Sequence, residues 1–418
     1  MINPPTQPHA HPSTAAVCLA GALTLAVAMG LGRFAFTPLL PLMMRDGLLD
    51  ASGGAGLAAV NYVGYLLGAL SAARVAAHPL RLVRACLVGT AMLTAGVGLV
   101  NQPAVWLLLR LLAGICSAWA MVGISAWALG ELGRRGQSSR SALVYAGVGL
   151  GIALAGSHVW LAGQASAPAL WVQMGAVAAA LSAVVLMLLH GVRSGPPPGG
   201  ATSAGAMMAG AETEPGMPAG AWGLLLCYCA FGIGYSLPVT FLPAQARLLI
   251  DDPRLFGLAW PAFGLAAALA TVLSGWLLRR WRQLNIWAAG QMAIAVGAAL
   301  PSLSHSGWAI GMAALLVGGS FMIVTMVGLQ QARALAPQQP ARLLGRMTAA
   351  FALGQILGPS LVRWLGQREW AGLNAIDLTA LPASAVLAAS AWWLWRHQPD
   401  APQATIQAPG QPKLSATD

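Results

Sequence analysis

Charge is what this 418-residue chain has least of: 22 basic and 11 acidic residues together make up 8% of it. Soluble domains carry about 25%, and so few charges cannot cover the surface of a soluble protein of this size. A cytosolic enzyme and a disordered chain are both excluded, and dividing the length into soluble domains of ~150 residues has no meaning here. Lysine is nearly missing: Lys413 is the only one, and nowhere do three basic residues run together. The net charge of +11 therefore lacks the clustered, wettable basic surface that follows a phosphate backbone, which sets nucleic acid aside as a partner. Cysteine is also scarce. Cys18, Cys86, Cys116, Cys227 and Cys229 all sit in apolar stretches, at spacings that fit neither a disulfide framework nor a zinc site. Cys227 and Cys229, two apart on a helix, point to different faces. They read as packing residues, and no metal or cofactor is expected.

Carboxylates are absent from the apolar stretches altogether. Asp46, Asp50, Glu131, Glu212, Glu214, Asp251, Asp252, Glu369, Asp377, Asp400 and Asp418 all fall in loops, tails or at stretch ends. The commonest membrane-embedded proton carrier is thus missing, as is the carboxylate pair that glycosyl transfer needs.

What the chain does have is apolar length. Hydrophobic residues make up 57% of it, in stretches of about 20 residues, each long enough to cross ~30 Å of hydrocarbon. They span 16–42, 55–74, 84–101, 104–130, 142–163, 170–191, 221–244, 256–278, 284–303, 307–332, 344–365 and 379–395. Backbone groups in lipid must pair within their own segment, and the alternation of a β-barrel is absent, so the expected fold is an all-α polytopic membrane protein of twelve transmembrane helices. The first stretch has no basic residue before it within residues 1–15 and runs on past residue 30. It reads as a retained span rather than a signal peptide.

Fifteen of the 22 basic residues fall on one side when the N-terminus is placed inside, against five outside. That bias predicts cytoplasmic termini in the inner membrane. Residues 192–220 form the longest polar connection, with Gly195-Pro196-Pro197-Pro198-Gly199-Gly200 at its start, and read as a flexible cytoplasmic linker. The expected organisation is an N-terminal six-helix half (1–191), this linker, a C-terminal six-helix half (221–396) and a cytoplasmic tail (397–418).

An internal repeat agrees with that division. Gly30-Leu31-Gly32-Arg33 followed by Leu40-Pro41 returns as Gly232-Ile233-Gly234-Tyr235 followed by Leu242-Pro243, at an offset of 202. A weaker echo pairs Gly114 with Gly318. Repeats related by an axis along the membrane normal are characteristic of transporters.

Two arginines lie inside spans, where each costs at least ~2.5–3.5 kcal/mol and so faces a cavity or a partner. Arg33 stands between Gly30/Gly32 and Pro38/Pro41, which kink or loosen a helix. A loosened helix beside a charge builds a midplane site, so Arg33 is the candidate substrate cation. Two other readings are that it snorkels outward, or that it bonds carbonyls freed by Pro38 and Pro41. Arg110 is followed one turn later by Gly114, and is expected to face the cavity in substrate binding, gating or coupling; snorkelling beside Trp106 is the competing reading. Asn61, Tyr62, Tyr145, Tyr235 and Gln355 are candidate substrate hydrogen-bonders. Trp119 and Trp260, deeper than the rest, are candidates to stack on a substrate. His158, the one histidine well inside a span, is a candidate proton carrier or a packing residue.

Gly147-Val148-Gly149-Leu150-Gly151 and Gly354-Gln355-Ile356-Leu357-Gly358-Pro359 resemble phosphate loops only on paper. No strand precedes either, and close helix packing accounts for them. Gly30, Gly32, Pro38, Pro41, Gly114, Gly234, Pro243, Gly358 and Pro359 are accordingly assigned to helix packing and gating. Trp106, Trp127, Trp160, Trp171, Trp222, Trp308 and Trp392 lie near span ends, as an interfacial belt would.

These features resemble the major facilitator superfamily across essentially the whole chain. Arg110-Leu-Leu-Ala-Gly114 matches its fourth-span signature. Gly30-Leu-Gly32-Arg33-Phe34-Ala-Phe36-Thr37-Pro38-Leu-Leu-Pro41 resembles the first span of the YbfB/YjiJ group, and Gly232-Ile-Gly234-Tyr235-Ser-Leu-Pro238-Val-Thr240-Phe241-Leu242-Pro243 its seventh. The loop after span two departs from the superfamily pattern: Gly68-Ala-Leu-Ser71 fits, but Ala72 and Ala73 replace Asp and Arg. In the second copy Gly275 is kept and Arg279 stands where Asp is expected. The resemblance implies a rocker-switch secondary transporter with two pseudo-symmetric halves.

Two embedded arginines without an acid favour a small, negatively charged organic solute, carried with or without a proton, and a monomer is the expected functional unit. The main rival is an exporter of hydrophobic drug-like compounds, for which a Met- and Trp-rich pocket would suit. A lipid-processing membrane enzyme would need acidic metal ligands; Asp251-Asp252 is the only adjacent pair and reads as solvated loop. A receptor would close the central site at both ends.

Overall fold

Each apolar stretch folds as one helix. The computed structural model describes residues 12–75, 78–192, 220–249, 252, 257–336 and 340–397. The helices are α1 (Thr14–Arg45), α2 (Ala51–Val75), α3 (Pro79–Leu99), α4 (Pro103–Arg134), α5 (Ser141–Ala162), α6 (Ala167–Leu188), α7 (Ala221–Leu249), α8 (Ala259–Arg280), α9 (Gln283–Ser304), α10 (Gly307–Leu335), α11 (Pro340–Leu365) and α12 (Ala375–Arg396). Eleven are long and apolar enough to cross a membrane. The other, α11, has the length but carries Arg346, Gln355 and Pro359, which lower its apolarity. Among the described residues there is no strand beyond one isolated bridge, Trp370–Leu373. The fold is all-α. The proposed linker and tail lie, apart from their end residues, outside the described residues, as does Asp251.

The helix starts follow local chemistry. Pro79 and Pro103 open α3 and α4, where the missing N–H costs nothing and the fixed φ suits the first turn. The Ser13 hydroxyl accepts from Ala16 N–H at 3.2 Å, and Asn374 forms a reciprocal capping box with Asp377 at the start of α12, each satisfying otherwise orphaned donors.

α1 is irregular. Between α-helical pieces Thr14–Leu25 and Phe36–Arg45 it widens into π-helical turns over Ala26–Phe34. Long π runs are rare and concentrate at functional sites, and this one ends on Arg33-Phe34. The sequence predicted a loosened helix here; the helix is widened, not interrupted. Its Gly30 lies against the Gly151 backbone of α5, where a Cβ would collide. That contact holds α1 close enough to reach the interface between the halves.

Pairing repeats with a period of six helices. α2 packs on α4 as α8 does on α10, α3 on α6 as α9 on α12, α3 on α4 as α9 on α10, and α1 on α5 as α7 on α11. Across the halves, α5 meets α8, α2 meets α11, and α1 meets α7. A two-fold exchange maps the first of these contacts onto the second and the third onto itself, so the axis runs between α1 and α7. There Thr37 Oγ1 donates to Val239 O at 2.6 Å, from a residue 202 positions away. That separation equals the sequence repeat, so symmetry-equivalent positions touch. The weaker echo also holds in space: Gly114 abuts the Asn61 backbone of α2, and Gly318 the Phe263 backbone of α8.

The outside of the bundle is apolar. Leu99, Leu161, Met187, Leu226 and Leu269 are among its exposed side chains, a lipid-facing surface rather than isolated patches. The tryptophans divide. Trp160, Trp222, Trp308 and Trp392 are exposed near helix ends, but Trp106, Trp127 and Trp171 are buried. Trp106 Nε1 donates to Val97 O and Val100 O, and Trp171 Nε1 to the Met43 sulfur. All three belong to the core, and for Trp106 and Trp171 a partner inside the bundle satisfies the indole N–H.

Candidate functional site

Both embedded arginines are buried, with Arg33 4% and Arg110 3% exposed, and they do different work. Arg110 Nη1 donates to Gly32 O at 2.9 Å and Nη2 to Arg33 O at 3.0 Å. These carbonyls lie where π turns return to α pitch and Pro38 supplies no N–H, so the backbone there is short of donors. The planar guanidinium fork spans two successive carbonyls. Arg110 is therefore held by α1 and does not snorkel beside Trp106. Arg110 bonds carbonyls of α1, but Gly32 and Arg33 are not the residues four before Pro38 and Pro41, whose freed carbonyls the sequence offers to Arg33.

Arg33 has a looser shell. Its Nη2 donates to Gln355 Oε1 of α11 at 2.9 Å, and its guanidinium carbon lies 4.1 Å from the Tyr65 ring centroid, 5.1 Å from Tyr62 and 5.2 Å from Phe34. Among the described residues, Arg33 Nε, Arg110 Nε and Gln355 Nε2 have no hydrogen-bond partner. Among the described residues the salt bridges are Arg45–Asp46 and the pairs of Glu131 with Arg134 and Arg135, so neither embedded arginine is paired with an acid.

Side chains on α2 and α7 complete the site. Asn61 Nδ2 donates to Arg110 O at 2.8 Å. Tyr62 OH lies 3.3 Å from Thr240 Oγ1, whose own proton goes to Ser236 O at 2.7 Å, so the tyrosine is the donor. Arg33, Phe36, Asn61, Tyr62, Arg110 and Thr240 line a cavity of about 10 Å³, room for a single water. The site is closed around its arginines.

Of the other candidates, Gln355 joins Arg33 directly. Tyr235 occupies the position in α7 that Arg33 holds in α1; it stacks on Phe321 at 5.0 Å and tilts against Phe231 at 5.5 Å and Phe351 at 6.0 Å. Trp260 is buried and stacks on Phe263 at 4.7 Å. Neither Tyr235 nor Trp260 lines the arginines' cavity, and three further candidates are bonded elsewhere. Tyr145 OH donates to Ser125 Oγ of α4, Trp119 Nε1 to Ser71 Oγ of α2, and His158 Nε2 pairs with Gln173 of α6 at 2.9 Å. Each is engaged within the first six helices. Gly32, Gly114, Gly234 and Gly358 face Thr90, the Asn61 backbone, Leu387 and Ser236 with no room for a Cβ. Pro38, Pro243 and Pro359 are helix-interior, and Pro41 O accepts from Arg247 Nη1 at 2.7 Å.

Sequence reasoning missed Tyr65, the ring closest to Arg33, and Phe351. Each had a signal: Tyr65 is one turn from Asn61, and Phe351 one turn before Gln355, on the same helix faces.

The family model described as "Uncharacterised MFS-type transporter YbfB" matches residues 25–392. No curated protein matches this chain. Among solved structures, a point mutant of the nucleoside transporter NupG is similar with a TM-score of 0.68 at 13% identity, covering 91% of this chain and 99% of that one. The human organic anion transporter MFSD10 (TETRAN) gives 0.61 at 18%, covering 92% and 100%. A bacterial homologue of the human lysosomal transporter Spinster, in an inward-facing and unoccupied conformation, gives 0.61 at 14%, covering 94% and 96%. These identities speak for the shared fold alone. With the family match spanning most of its length, the chain belongs to the YbfB-like family of MFS-type membrane transporters.

Proposed function

We propose that this transporter carries a small organic anion, with Arg33 as the cation that receives its charge. One observation carries the reading: the three orphaned groups at the site, Arg33 Nε, Arg110 Nε and Gln355 Nε2, are all N–H donors. A buried cation without a counter-ion, and with an N–H left unbonded, is costly until an anion completes it. An anion would satisfy charge and donors together.

Alternating access is supported by where the halves are bonded. Arg33–Gln355, Thr37–Val239, Tyr62–Thr240 and Arg247–Pro41 join α1 and α2 to α7 and α11. They run from mid-helix to the end remote from the termini. Each is one hydrogen bond, worth about 0.5–1.5 kcal/mol, or somewhat more where an arginine donates, so the closure is reversible. With cytoplasmic termini in the inner membrane, as the arginine bias implies, this arrangement is shut toward the outside. The halves 1–191 and 221–396 would rock as units, joined by the 192–220 linker, in a functional monomer. A proton, if one is co-transported, would travel on the substrate's own acid group, since His158 is engaged with Gln173.

A second reading, export of an apolar compound, is favoured by the cluster of aromatic rings in the C-terminal half. Substrate-induced thermal stabilisation of the purified protein separates the two. Organic acids are expected to stabilise the wild type and not Arg33→Ala. Equal stabilisation of both proteins by a cationic hydrophobic dye, with no response to acids, would overturn the proposal.

A further inference from the structure

The two halves present different chemistry to the same interface. Arg33 and Tyr235 are symmetry-equivalent, each four residues before the Thr37–Val239 contact on the axis. The first half thus offers a cation where the second offers a ring. That ring continues an aromatic cluster: Tyr235 tilts against Phe351, Phe351 stacks on Phe231 at 4.8 Å, and Tyr228 tilts against Phe231 at 5.6 Å and Phe351 at 5.5 Å. The cluster is contiguous with the polar link, because Gln355 follows Phe351 by one turn and Gly232 abuts the α11 backbone at Phe351.

The arginine's own geometry restricts how a ligand approaches. With Tyr65 4.1 Å from its centre and Tyr62 and Phe34 close by, aromatic rings crowd the guanidinium, and its buried Nε has no hydrogen-bond partner among the described residues. An anion reaches it in the guanidinium plane, where a carboxylate takes two parallel N–H bonds, on Nε and Nη2. Gln355, displaced from Nη2, turns its unpartnered Nε2 to the second side of the ligand. A group coplanar with that carboxylate then extends between Tyr65 and the Phe351–Tyr235 rings. Tyr65 and Phe351 are the half-exposed members of this set, so the ligand enters where they part.

Resting on the anion reading above, we infer that the substrate is a planar aromatic carboxylate, its carboxylate on Arg33 and Gln355 and its ring against Tyr65, Tyr235 and Phe351. The test is calorimetric binding to the purified full-length protein with three probes of similar size: benzoate, cyclohexanecarboxylate and benzamide. Stacking on two faces predicts that benzoate binds about tenfold tighter than cyclohexanecarboxylate, and that benzamide does not bind. In Phe351→Leu the ratio is expected to fall toward one. Phe351→Leu is expected to keep its affinity for cyclohexanecarboxylate, which separates lost stacking from misfolding. Equal affinity for the two carboxylates overturns the aromatic inference and leaves the anion reading standing. Benzamide binding as well as benzoate overturns both. Absence of binding by all three at millimolar concentration overturns the aromatic inference.

Discussion

Replacing Arg110 by Lys and by Leu separates a charge from a brace. As a brace, Arg110 makes two hydrogen bonds, to Gly32 O and Arg33 O. A bond from a charged donor contributes about 1.5–3 kcal/mol, so the pair contributes roughly 3–6. Leu forfeits both but also relieves the ~2.5–3.5 kcal/mol cost of an arginine in the membrane, for a net loss of about 0–3 kcal/mol. Lys keeps a buried charge, yet its ammonium cannot reproduce the fork. It loses one bond and strands a carbonyl, at about 1.5–3 kcal/mol. At roughly 2–4 °C per kcal/mol or less for a chain of this length, the Lys variant should melt several degrees low and the Leu variant no lower than that. The buried thiols of Cys18, Cys86 and Cys227 allow a fluorogenic thiol dye to read the transition. Both should also bind substrate weakly, because the π turns that aim Arg33 lose their support. A Lys variant that melts and transports like wild type, beside an inactive Leu variant, would refute the brace and restore Arg110 as a working charge.

Three further outcomes follow from the packing and the loops. Gly30→Ala should cost about 1–3 kcal/mol through overpacking against Gly151, whereas Gly275→Ala, with open space around it, should leave the melting temperature unchanged; urea-assisted thermal melts compare the two. His158→Gln should not alter the pH dependence of uptake, and a lost or shifted pH profile would show that the histidine carries the proton after all. At the α1–α2 turn, the Arg45 hydrogen bond, helped by the Ala167 N–H, holds the Asp46 carboxyl below the usual range against the opposing effect of burial. A depressed folded pKa gives stability that is full above the unfolded value of about 3.9 and is lost as pH falls through the folded value. Acid melts below about pH 4 should therefore show a small destabilising limb that Asp46→Asn lacks.

Much of the architecture was legible because lipid leaves so few options. Helix number and the 202-residue repeat follow from apolar length and from Gly30/Gly232 and Pro41/Pro243, and Thr37 meeting Val239 gives that offset a physical meaning. The two arginines stood out because a charge inside a span needs a reason. Their division of labour did not, because the partners of Arg110 are carbonyls of a helix nearly eighty residues away, and backbone leaves no mark in composition. The burial of Trp106 and Trp171 was hidden for a similar reason: a position near a span end says nothing about which face of the helix meets the bundle. Tyr145, Trp119 and His158 were chosen for polarity inside a span, yet each is satisfied by a neighbour in its own half.

The central claim is that an unpaired guanidinium at Arg33 is completed by the substrate's negative charge. It is tested most directly by loading proteoliposomes from a mixed pool of small acids, bases and neutral solutes and weighing what accumulates by mass spectrometry. The wild type should enrich acids, and Arg33→Gln should enrich none of them. Enrichment of bases or neutral compounds, or the same acids taken up equally by both proteins, would contradict it.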